Sequence, residues 1–112
     1  MHLSPGYEPP SGAFRVVRED AGPVLHLSGD VDEPLVRRMR ADGLDERELV
    51  AVEVAAVGYI DSTGLSLLVR WAQSAGRDGR PAVLRSASPR FRKVLDLAGI
   101  SVLFALQDDG RA

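Results

Sequence analysis

The sequence predicts a single α/β domain built on a mixed or largely parallel central sheet, and three observations carry that prediction. Short aliphatic and β-branched runs alternate with amphipathic helical segments from residue 24 onward, the pattern of strands joined by crossover helices. Leu49–Val54 (Leu-Val-Ala-Val-Glu-Val) is almost continuously apolar, as expected of a central strand buried on both faces. The chain has 112 residues, 45% hydrophobic and 27% charged, which is ordinary globular composition for one domain large enough to bury a core.

The elements follow in order. Residues 1–12, rich in proline and glycine, read as a flexible lead-in. Phe14–Arg18 and Val24–Ser28 are expected to form an antiparallel hairpin around a turn at Asp20, Gly22 and Pro23. Asp32 is an N-cap and Pro34 suits the first turn of a short helix whose buried face starts with Leu35 and Met39. Gly43 and the polar stretch Asp42–Glu48 close that helix early. After the Leu49–Val54 strand, Ala55–Ile60 leads to Asp61-Ser62-Thr63-Gly64-Leu65.

A strong helical period then runs from Thr63 to Arg77. Leu65, Leu68, Ala72 and Ala75 lie on one face, widened by Leu67 and Trp71, and Ser66, Arg70, Gln73 and Arg77 form an opposite polar stripe. Pro81–Arg85 reads as a strand. Ser88 caps a further helix with Pro89 in its first turn and Phe91, Val94, Leu95 and Ala98 as its buried face, ended by Gly99. Ile100–Leu106 is apolar and fits either a strand or a helix. Residues 107–112 read as a polar tail, which leaves 13–106 as the folded domain.

Composition narrows the function before any motif does. The net charge is −2, with no cysteine and two histidines. That excludes disulfides and thiolate metal sites, fits a cytoplasmic address, and leaves little for a metal centre or a histidine-dependent triad. No overall basic field exists to hold a nucleic acid, and the cluster Arg90, Arg92 and Lys93 is too small to imply one. The opening residues lack the basic start and apolar run of a signal peptide, and no apolar stretch approaches bilayer length. Neither a metal nor another cofactor is expected.

The most informative segment is the junction at Asp61–Leu65. A buried strand running into Asp-Ser-Thr-Gly and then a helix sets polar side chains among free backbone N–H groups at the positive end of the helix dipole. A serine there could accept a phosphoryl group that the local amides partly stabilise, while Asp61 beside it would repel the same group. Asp, Ser and Thr are also the ordinary residues of helix starts, and the pentapeptide alone fits either reading. Two enzymatic readings fit poorly. One residue too many separates Asp61 from Gly64 for an aspartic protease, and Ile60 stands where a nucleophile elbow needs glycine, with His26 as the one plausible base. His26 reads as a half-exposed strand histidine.

Taken together, four ordered blocks resemble the STAS domain family: Gly29-Asp30-Val31-Asp32 after a strand, the Leu49–Val54 strand, Asp61-Ser62-Thr63-Gly64-Leu65, and Ser88-Pro89 through Val94-Leu95-Asp96-Leu97-Ala98-Gly99-Ile100. The likeness spans residues 13–106. It implies a mixed sheet with its helices packed mainly on one face. It also implies a non-enzymatic bacterial anti-sigma factor antagonist that captures a GHKL-type serine-kinase anti-sigma factor and so frees a sigma factor. By the same resemblance Ser62 is the residue phosphorylated, which weakens capture until a phosphatase restores it. Partner contacts would fall to Asp30, Asp32, Asp61, Thr63 and Gly64, with no direct nucleic acid contact and no membrane insertion. The alternative is a STAS subunit docked in a larger assembly, such as a lipid-transport complex or a stressosome-like particle. The chain departs from the family pattern in its short first helix and in Glu53, where many members carry aspartate. Trp71 is expected in the core and the polar stripe in solvent.

Overall fold

A computed structural model describes residues 11–108. The strand β1 (Ala13–Glu19) turns into β2 (Gly22–Val31), followed by helix α1 (Glu33–Ala41) and a 3-10 turn at Glu46–Glu48. The strand β3 (Ala51–Ile60) leads to α2 (Ser62–Arg77), β4 (Val83–Arg85) and α3 (Pro89–Leu97). A 3-10 turn at Ser101–Leu103 and β5 (Ala105–Gln107) complete the chain. The segment left open between strand and helix is therefore both, a single 3-10 turn and then a short edge strand.

The three helix starts follow the side chains expected to cap them. The Asp32 carboxylate accepts the Leu35 N–H at 3.1 Å, Asp61 accepts the Gly64 N–H at 2.9 Å, and the Ser88 hydroxyl accepts the Phe91 N–H at 3.0 Å. Each satisfies one of the amide donors that a helix N-terminus leaves without an intrahelical partner. Because Asp61 is itself the cap, α2 begins at Ser62, one residue earlier than the period suggests.

The strands lie in sequence order, β1-β2-β3-β4-β5, with the first pair antiparallel and the rest parallel. Crossovers of fixed hand that always add the next strand on the same side deliver every helix to one face. The core lies on that face: Leu25, Leu27, Val52 and Val54 of the sheet pack with Leu35 and Met39 of α1, Leu68 and Trp71 of α2, and Leu95 of α3. Trp71 is 1% exposed, donates its Nε1–H to the Leu49 carbonyl at 3.0 Å, and stacks on Phe104 with ring centroids 6.2 Å apart.

Three expectations are corrected. Burial of Leu49–Val54 on both faces is met only in part: Leu49, Ala51, Val52 and Val54 are buried, Val50 and Glu53 are half-buried, and β3 runs on into the exposed Ala55 and Ala56. The face of α2 that enters the core is centred on Leu67, Leu68, Trp71 and Ala75, and Leu65 is half-buried at its margin. Ala98 is exposed rather than part of the buried face of α3. α3 ends at Leu97 and Ala98 is its C-cap, while β4 and β5 are three residues each. Pro81, which has no N–H for a ladder, lies before β4.

The helix-free face is organised by register. Arg15, His26, Glu53, Arg85 and Gln107 are successive cross-strand neighbours, and Val17, Val24, Ala51, Val83 and Ala105 form the adjacent row. Val24 and Ala51 are 1% and 6% exposed although no helix covers them. A side-chain strap crosses the same face. Arg85 of β4 donates through both Nη atoms to the Glu19 carboxylate of β1 at 3.3 and 2.8 Å, spanning β2 and β3, and its Nε lies 3.5 Å from Glu53 Oε1.

The hydrogen bonds from Arg85 hold the Glu19 carboxyl below its ordinary value of 4.5, against an opposing desolvation effect. A depressed acid adds stability that is complete above its unfolded-state value and is lost as pH falls through the folded-state value. The wild type is therefore expected to resist urea better than Glu19→Gln above pH 4.5, with the gap closing on acidification. Urea midpoints measured at pH 7 and at successively lower pH values check this. An unchanged gap across the series would contradict it.

The lead-in expected over residues 1–12 lies outside the described residues up to residue 10, and the tail expected over 107–112 lies outside them from residue 109. Ser11 and Gly12 are packed against the β2–α1 turn, Gln107 pairs with Arg85 in the sheet, and Asp108 accepts from Arg92 at 3.4 Å. Among the described residues, no helix is long and apolar enough to cross a membrane.

Candidate functional site

The carboxyl ends of parallel strands are where an open α/β sheet presents its loops. Here β2 and β3 end side by side, with Val31 opposite Ile60 and Asp30 opposite Tyr59. The Asp61 N–H donates to the Val31 carbonyl at 3.1 Å, which ties the Gly29–Asp32 turn to the start of α2. All six residues singled out from the sequence therefore lie at one end of the sheet, Asp30 and Asp32 where β2 passes into α1, and Asp61, Ser62, Thr63 and Gly64 where β3 passes into α2.

The three carboxylates already have work within the chain. Asp30 Oδ2 accepts from the Ser11 hydroxyl at 2.6 Å, while Asp32 and Asp61 cap α1 and α2. Ser62 differs, being the first residue of α2 and exposed, whereas Thr63 is half-buried. With Asp61 occupying the Gly64 amide, the amides of Ser62 and Thr63 remain as the donors that a helix start leaves open. A phosphate on Ser62 would sit near two amide donors and the positive helix end, beside the Asp61 carboxylate.

Two glycines make this geometry possible. A Cβ on Gly64 would stand 2.6 Å from the Val31 carbonyl oxygen and 2.7 Å from Ile60 Cγ1, so α2 can start this close to β2 only without a side chain. Gly29 has φ +70, and a Cβ there would collide with the backbone of Ser11. The β2–β3 pairing also shifts register twice, between His26 and Ser28 and between Gly29 and Asp30. β3 takes up the extra residues as bulges, which re-aim a strand end. Sequence reasoning missed these bulges, and it also missed the exposed Tyr59, which is 56% accessible beside Asp30. Gly58, interrupting an apolar run, was the available signal for both.

Against the outer side of β3, Val57, Gly58, Tyr59 and Ile60 face Ser88, Arg90, Phe91 and Val94 of the α3 region across a groove of about 270 Å³. On the other flank of Ser62, Leu65, Ser66, Val69 and Arg70 of α2 form a shallow trough with Ala98 and Ile100. Within the polar stripe Ser66, Gln73 and Arg77 are exposed, and Arg70 approaches Glu46 at 3.9 Å. Among the described residues, no cluster of histidine, aspartate or glutamate could hold a metal ion.

An exposed serine at a helix start and the end of β2 stand side by side on a mixed five-stranded sheet with its helices on one face. The chain belongs to the STAS domain family: the family model described as "Mlab, STAS domain" matches residues 14–107. It is similar to an anti-sigma factor antagonist from Mycobacterium paratuberculosis, with 22% identity and a TM-score of 0.70, covering 89% of this chain and 88% of that one. It is also similar to the phosphorylated form of the Bacillus cell fate determinant SpoIIAA, at 20% identity and a TM-score of 0.59, covering 84% and 90%. A sulfate transporter family protein from Wolinella succinogenes is a further neighbour, at 20% identity and a TM-score of 0.60, covering 77% and 75%. These likenesses establish the SpoIIAA-like fold.

Proposed function

We propose that this protein is an anti-sigma factor antagonist whose capture of a GHKL-type serine-kinase anti-sigma factor is switched off by phosphorylation of Ser62 and restored by a phosphatase. The observation that carries this reading is the exposed Ser62 at the start of α2, at the same sheet end as Gly29–Asp32. In this reading the transfer chemistry belongs to the partner kinase, and this chain contributes a presented nucleophile and a docking surface. Phosphorylation adds about −1.5 to −2 charge to a surface already carrying Asp30, Asp32 and Asp61. A partner docked there loses affinity by like-charge repulsion and by desolvation of the new dianion. The fold shared with the phosphorylated SpoIIAA structure supports the reading, which places the protein in the cytoplasm with no direct nucleic acid contact.

Titration calorimetry with a candidate anti-sigma factor kinase tests it. Ser62→Ala is expected to bind about as tightly as the unphosphorylated wild type. Ser62→Asp is expected to bind roughly tenfold or more weakly, about 1.4 kcal/mol or more. Equal affinity for all three would contradict the switch.

A second reading has its own support. The matched family description names Mlab and one structural neighbour is a sulfate transporter family protein, which favours a STAS subunit docked in a larger assembly such as a lipid-transport complex or stressosome-like particle. Affinity capture returning transporter ATPase subunits in place of a kinase would favour that reading.

A further inference from the structure

β3 is ten residues long and β4 is three. β4 pairs only with Ala51–Glu53, so among the described residues the stretch from Val54 to Ile60 has a strand neighbour on its β2 side alone. A one-sided strand presents main-chain N–H and C=O groups along its free margin. Here that margin borders the groove whose apolar lining comes from Val57, Ile60, Phe91 and Val94. At about 270 Å³ the groove falls below the roughly 300–1,000 Å³ of small-molecule sites. It suits the anchor side chain of a peptide better than a cofactor. Its rim is basic. Arg90 lines it and Lys93 lies one turn further along α3, both exposed. Among the described residues neither has a carboxylate within ion-pair distance, whereas Arg92 beside them is engaged by Asp108 and the Ala87 carbonyl.

We infer that the groove between the free margin of β3 and α3 docks an extended segment of a partner protein, with an apolar side chain in the Phe91–Val94 recess and carboxylates against Arg90 and Lys93. Main-chain groups of β3 supply general affinity, the recess supplies register, and the two cations select an acidic segment. The bulge at Gly58 limits the pairing to a few residues, so the segment is short and its affinity modest. This goes beyond the Ser62 reading, because docking needs no phosphate and would operate in either assembly.

The full chain, labelled with nitrogen-15 and unphosphorylated, is titrated with a panel of seven-residue peptides alternating valine or leucine with glutamate. A matched panel carries lysine in place of glutamate. Saturable shifts are expected at Val57–Ile60 and Phe91–Val94 with a dissociation constant below about 1 mM for at least one acidic peptide. The double variant Arg90→Glu with Lys93→Glu should weaken that binding about tenfold and bind the lysine panel instead. Both substitutions are on the exposed face of α3, and an unchanged spectrum away from the groove verifies the fold. No saturable shift from any peptide, shifts confined to β1, or indifference to the charge reversal would each overturn the inference. So would concentration-dependent shifts at the same residues without peptide, which would make the occupant a second copy of the chain.

Discussion

Replacing Trp71 by alanine is expected to lower the unfolding free energy by about 3–5 kcal/mol, from the lost burial of the ring and the cavity left behind. A domain of this size holds only about 5–15 kcal/mol in total, so this single change removes a large fraction of it. The reason is position: the indole is 1% exposed, stacks on Phe104, and donates to the Leu49 carbonyl. It thereby ties α2 to the entry of β3 and to the chain just before β5. Trp71→Phe separates the contributions, because it keeps most of the ring and removes the donor. Its cost should be nearer 1–2 kcal/mol, since Arg80 Nη1, at 3.4 Å, remains a weak donor to the same carbonyl. Urea unfolding followed by far-ultraviolet circular dichroism measures both, the fluorescence probe having gone with the tryptophan. A cost below about 1 kcal/mol for the alanine variant would contradict this account of the core.

The second large effect concerns Gly64. Gly64→Ala places a methyl 2.6 Å from the Val31 carbonyl oxygen and 2.9 Å from Val31 Cγ1. The oxygen is backbone and cannot rotate away, so α2 must shift away from β2. That displacement costs about 1–3 kcal/mol by overpacking and strains the bond from the Asp61 N–H to the same Val31 carbonyl. Stability and presentation of Ser62 should therefore fall together. Gly76→Ala is the contrasting change. Gly76 is exposed within the same helix with open space around it, and alanine there should stabilise by about 0.5–1 kcal/mol. Thermal unfolding of the two variants checks the sign of each. Equal effects would mean that close packing at Gly64 does not decide the outcome.

How far the sequence spoke for itself depended on the range of the interaction. Asp32, Asp61 and Ser88 marked the helix starts because capping is local chemistry, settled within three residues. The site was legible for a related reason, since Asp61, Ser62, Thr63 and Gly64 are consecutive and one buried strand led into them. That the Gly29–Asp32 turn lies beside them came only through the family resemblance. No periodicity contains the register that sets Val31 against Ile60. The Glu19–Arg85 strap was invisible because its partners are brought together by three intervening strand pairings. The helical period sets Ala98 on the buried face of α3, but the helix ends at Leu97 and Ala98 is its exposed C-cap, a boundary the period does not contain. The extension of β3 to Ile60 was hidden by bulges that break the alternation on which strand reading rests.

The central claim is that Ser62 is the group through which a partner switches this domain. Incubation of the full chain with a candidate anti-sigma factor kinase and ATP, followed by site-mapping mass spectrometry, tests it most directly. The account predicts a single phosphate on Ser62, absent from Ser62→Ala. No phosphate, or phosphate on Thr63 or Ser66 with Ser62 unmodified, would contradict it.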